Sequence, residues 1–216
     1  MTVEELKQNP AYHLLLVLRH DEILSFLREH LMGGTVAMKS FWGALLLLLA
    51  GMTAVALGDV NSGVMGWCTI FRQLASGYIV SMPALVVLHE AIHGLAYKLA
   101  GAPKVSYGAN WRMLYFFAVA GNYVVNRRKF VFIGLAPFVT VTSVTIVALF
   151  FTSSQLNWVL WGVLLMHTGA CAGDFALLGF YEKYRHFSEL FTFDDVANKT
   201  SYFYARETDD RSAEGV

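Results

Sequence analysis

The sequence predicts an all-α membrane protein, a four-transmembrane-helix bundle with an N-terminal amphipathic segment and a small cytoplasmic β-rich loop. Three observations carry that expectation. Of 216 residues, 56% are hydrophobic and 15% charged, and the mean hydropathy of +0.49 is well above that of an ordinary soluble domain. Four segments, residues 41–58, 77–100, 130–152 and 157–180, are long and apolar enough to cross about 30 Å of hydrocarbon at about 1.5 Å per residue. Fifteen of the sixteen Lys and Arg residues fall on one side of those four spans, with only Arg72 on the other.

The chain divides into an interfacial segment at 1–40, a membrane domain at 41–181 and a cytoplasmic tail at 182–216. Residues 1–10 are polar and mixed in charge, without the basic, apolar, small order of a cleavable signal peptide. Residues 11–33 are rich in Leu, Ile and Phe but broken by Arg19, His20, Asp21, Glu22, Arg28, Glu29 and His30. Such a pattern suits a helix lying along the interface or a cytoplasmic helical hairpin packed on the bundle.

The first span is an uninterrupted Leu, Ala, Val and Gly run, and the third carries only Thr, Ser and Pro137 as blemishes. The second and fourth contain ionisable residues, which mark function where they sit inside a membrane. In the loop at 101–129, the β-formers Val105, Tyr107, Trp111, Leu114, Val119, Tyr123 and Val125 are punctuated by Gly108-Ala109-Asn110 and Gly121-Asn122. A hairpin at the cytoplasmic face is expected there. The tail after Tyr181 is polar, compatible with partial order or disorder.

Positive charge concentrated around the termini and the central loop places all three in the cytoplasm. Zero net charge, with no basic stripe carrying interleaved aromatics, argues against a nucleic-acid partner. The two cysteines, Cys68 and Cys171, suggest neither a disulfide framework nor a cysteine-based zinc site.

His89-Glu90-Ala91-Ile92-His93 is an HExxH motif in the second span. Residues four apart share a helical face, so two imidazoles can hold one ion, Zn2+, while the Glu beside the first reaches an attacking water as general base. Burying such groups in a membrane helix costs about 2.5–3.5 kcal/mol for an acidic residue near the centre, and a metal offsets that directly. A proton relay or a satisfied polar cluster between helices is the alternative. Catalytic zinc usually has three protein ligands, and the ionisable candidates elsewhere in the spans are Asp174 and His167 on the fourth.

Counted inward from residues 77 and 157, His93 and Asp174 fall at nearly equal depth, each about 25 Å along its helix, and His167 about two turns shallower. Gly169 to Gly173 has the GxxxG spacing that lets helices approach closely and could draw Asp174 onto the metal. Asp174 could instead mark a cytoplasmic helix end. His167, seven residues earlier and near the same face, is a candidate substrate or oxyanion contact, or else a packed, hydrogen-bonded histidine.

The HEAIHGL stretch at 89–95, the basic turn running into Ala136-Pro137, and Gly173-Asp174 together resemble the small bacterial membrane proteins called putative zincin peptidases, distant relatives of the site-2 proteases. The resemblance covers roughly residues 77–181. It implies zinc held by His89, His93 and Asp174 with Glu90 catalytic, in a multi-pass protein of a bacterial cytoplasmic membrane. The order Gly173-Asp174-Phe175 differs from the Leu-Asp-Gly common in site-2 proteases.

The expected function is zinc-dependent hydrolysis of peptide bonds in a membrane-associated protein or peptide, with the lipid bilayer as the surrounding partner. A zinc-binding transporter or sensor, or a non-catalytic scaffold, is the alternative. A transporter should show further acidic or His residues tracing a path across the membrane, and spans one and three contain none.

Overall fold

A computed structural model describes residues 1–110 and 115–207. Trp111, Arg112 and Leu114 of the central loop, and Arg211 of the tail, lie outside the described residues. Four helical stretches are long and apolar enough to cross a membrane: α3 (Val36–Asn61), α4 (Trp67–Leu99), α5 (Arg127–Leu149), and a broken fourth made of α6 (Ser154–Ala170) and α7 (Ala172–Lys183). α4 begins ten residues before the expected start of its span and runs about 50 Å.

The helix ends follow local chemistry. Thr35, Asn126 and Ser153 cap α3, α5 and α6 through their side-chain oxygens. α4 ends where Gly101 takes φ +96°, a left-handed residue that suits glycine. The Glu182 carboxylate accepts from the backbone N–H groups of Val36 and Ala37 at 2.8 and 2.9 Å, tying the end of α7 to the positive start of α3.

The protein is not all-α. Six strands form two sheets among the described residues. The loop hairpin is present as β2 (Ser106–Asn110) and β3 (Tyr115–Val119), paired antiparallel. The second sheet joins β1 (Tyr12–Arg19), from a stretch expected to be helical, and β5 (Glu189–Asp195) and β6 (Thr200–Arg206), from the tail, to β4 (Val125–Asn126) of the β-rich loop, in the order β1-β6-β5-β4. The stretch at 11–33 is thus a strand followed by the short helix α2 (Ile23–His30) rather than an interfacial helix or a helical hairpin, and the tail contributes β5 and β6. The reason is tertiary. Arg19 pairs with Thr200 across most of the chain, and that partner supplies the ladder that local periodicity cannot reveal. α1 (Val3–Gln8) packs Val3 and Leu6 against Phe193 of this sheet.

Helix packing also differs from expectation. Gly169 has open space where a Cβ would project, so the GxxxG pair is not the point of close approach. That point lies at Gly77 and Gly162, where an added Cβ would run into the backbone of α6 and α4 respectively. Backbones this close seat α6 firmly on the helix that carries the HExxH motif.

Candidate metal centre

The i, i+4 spacing places His89 and His93 on the buried face of α4, with their Nε2 atoms 3.1 Å apart. Asp174, in the first turn of α7, lays its carboxylate across both. Oδ2 is 3.3 Å from His89 Nε2 and Oδ1 is 3.2 Å from His93 Nε2. The structure therefore brings His89, His93 and Asp174 together. Ligand atoms sharing one tetrahedral zinc at about 2.0–2.1 Å stand about 3.3–3.4 Å apart, close to these three spacings.

Two further observations favour a cation. Asp174 Oδ2 is buried without a hydrogen-bond donor, and two imidazole nitrogens face each other at hydrogen-bond distance. A divalent ion would satisfy all of them at once.

His93 is oriented by a carbonyl that proline has set free. Its Nδ1 donates to the Ile133 carbonyl at 3.0 Å, which leaves the Nε2 lone pair for a metal. In an α-helix the Ile133 carbonyl would accept from the N–H of residue 137. Residue 137 is proline, which has none. The proline inside α5 thus opens an acceptor beside His93, and neither Ile133 nor this role for Pro137 was evident from the sequence.

Glu90 is half-buried beside the two histidines, and the backbone N–H of Ala118 in β3 lies within hydrogen-bonding reach of its carboxylate. The hairpin is thus seated at the candidate centre. Gly94 makes this possible, since any side chain there would collide with the Tyr107 ring of β2. The Phe117 ring of β3 packs edge-on against His20 at 5.2 Å, linking the hairpin to the end of β1.

His167 lies on α6, its ring centroid 5.5 Å from that of His89. It is 1% exposed, and its ring nitrogens are 3.8 and 3.7 Å from Cys171 Sγ. Cys171, set aside in the sequence as a zinc ligand, caps α6 at the joint with α7 and is fully buried. His89, His167 and Cys171 make a second group whose ligand atoms lie within 4.8 Å of one another.

Residues 82–184 match the family model described as putative zincin peptidase. The matched stretch contains the HExxH residues, the hairpin, Pro137, His167, Cys171 and Asp174, so every group of the candidate centre falls inside the zincin-peptidase region. Strands β1, β5 and β6 of the four-stranded sheet lie outside it. No curated protein and no solved structure matches the chain.

Proposed function

We propose that this protein is a zinc-dependent, membrane-embedded endopeptidase that cleaves a membrane-associated protein or peptide. The observation that carries this reading is the convergence of His89 Nε2, His93 Nε2 and the Asp174 carboxylate at 3.1–3.3 Å, with Glu90 next to the first ligand. When bound there, zinc supplies Lewis acidity to the scissile carbonyl and to the attacking water.

The chain's own residues do the rest. Glu90, held towards the centre by its place after His89, takes a proton from the attacking water. It then returns that proton to the leaving amine nitrogen. His93 is kept in one ring orientation by the Ile133 carbonyl. A substrate must arrive extended, because a helix hides its carbonyls in hydrogen bonds, and the β2–β3 hairpin beside Glu90 offers strand edges to which such a segment could add. His167 remains a candidate contact for substrate behind His89. The charge asymmetry supports both termini and the hairpin facing the cytoplasm.

The deciding experiment is Glu90→Gln, measured for zinc content and for cleavage in liposomes. The variant retains size and hydrogen bonding but cannot accept a proton. It should therefore keep its zinc while hydrolysis falls by at least about 100-fold. Cleavage at the parent rate would remove the hydrolytic mechanism and leave a transporter or sensor as the better account.

A further inference from the structure

The two motif histidines differ at their second ring nitrogens. His93 Nδ1 is satisfied by a carbonyl at 3.0 Å. Metal-binding histidines almost always hold that N–H on a carboxylate, carbonyl or water. Among the described residues, His89 Nδ1 has only Cys171 Sγ, at 4.0 Å. The same sulfur is the polar neighbour of both nitrogens of His167, so one buried thiol stands between two buried imidazoles.

We propose that Cys171, His167 and Nδ1 of His89 form a second metal site, back to back with the first across the His89 ring, which takes a thiophilic cation such as Zn2+ or Cd2+ and restrains the peptidase centre when filled. A thiolate and an imidazole nitrogen sharing one tetrahedral zinc stand about 3.5 Å apart. The sulfur-to-nitrogen separations of 3.7 to 4.0 Å close by a few tenths of an ångström, and the ring nitrogens, within 4.8 Å of one another, draw in to the about 3.3–3.4 Å of a shared tetrahedral ion. The sulfur sits at the α6–α7 joint, where a small rotation moves it relative to both rings. A donor set of one thiolate and two imidazoles suits soft, d10 cations.

Filling this site releases two protons, that of the Cys171 thiol and, with Nε2 engaged by the first ion, the last ring proton of His89. An imidazolate donates more charge than a neutral imidazole, so the first ion polarises water and carbonyl less and hydrolysis slows. The inhibitory half rests on the peptidase reading. The site itself does not.

The test uses the full chain in detergent with Cys68→Ser, which leaves Cys171 as its only thiol. Co2+ is titrated while bound equivalents and the thiolate-to-cobalt charge-transfer band are recorded. Two equivalents are expected at saturation, one of them bringing the band. Asp174→Ala should keep the band-bearing equivalent and lose the other, whereas His167→Ala and Cys171→Ser should do the reverse. Excess Zn2+ should lower peptidase activity at least tenfold, and Cys171→Ser should resist it. Saturation without a thiolate band overturns the second site, and this measurement needs no substitution near the centre. A band without zinc inhibition overturns the restraint. Failure of the peptidase reading is distinguishable, since it would show as two bound equivalents and no hydrolysis by the zinc-loaded parent at any metal concentration.

Discussion

Pro137 and Ile133 show how one residue can act through another's carbonyl. Replacing Pro137 by Ala restores an N–H that competes with His93 for the Ile133 oxygen, and the loss of such an orienting partner typically weakens metal affinity 10–100-fold. Pro137→Ala should therefore bind zinc more weakly, by equilibrium dialysis, while α5 itself becomes no less stable. Unchanged affinity would mean that His93 is oriented by packing alone. Outside the spans, Asp194 on β5 is a second single-residue device. Burial pushes its carboxyl up to about 6, against the opposing pull of the Ser201 hydroxyl at 2.5 Å. An unfolded aspartate titrates near about 3.9. Below about pH 4 both states are neutral; between about 4 and 6 only the unfolded chain ionises, so stability falls as pH rises, and above that window the full cost is present. Asp194→Asn should flatten this dependence in thermal melts across that range, gaining on the order of 2 kcal/mol over the parent at neutral pH.

At the scale of elements, the seating of α6 on α4 decides whether Asp174 and His167 reach the histidines of the motif. Gly162→Ala places a methyl against α4 backbone, where overpacking costs about 1–3 kcal/mol. Gly169→Ala projects into open space and replaces a poor helix former, so it should be neutral or stabilising by up to about 1 kcal/mol. Melting temperatures in one detergent check both, and equal losses would mean that the GxxxG pair packs after all. The spans and the hairpin were legible because each announces itself locally, through long apolar runs or through β-formers broken by Gly-Asn turns. The convergence of His89, His93 and Asp174 was legible for a related reason, since i, i+4 spacing and depth along a helix are both counted in residues. Cys171 and the Ile133 carbonyl were not, because a thiol in an apolar run looks like core and a backbone acceptor has no residue identity. The strand β1 was hidden too, its Leu-rich sequence serving helix and sheet alike until β6 is beside it.

For the whole molecule, α5 begins directly after β4 of the four-stranded sheet, and the end of α7 packs Phe180 and Tyr181 against Leu190 of β5 and Phe203 of β6. Besides the Glu182 contact with α3, Arg127 donates to the Tyr184 and Phe187 carbonyls at 3.1 and 3.3 Å. Reporter fusions after Gly63 and after Glu207 should therefore give opposite signals, with the second cytoplasmic by the charge asymmetry. Matching signals would require an even number of crossings between the two positions. The sheet order also sets a clock on biosynthesis. β1 leaves the ribosome early, yet its one neighbour in the sheet among the described residues, β6, is made after all four spans. At about 5–20 residues per second, β1 waits roughly 10–40 s with both edges bare. Until then His20, which touches Phe117 of the hairpin, lacks the Lys199 carbonyl that its own N–H meets, so a nascent chain stalled before β6 would have its hairpin tied to an unfinished sheet.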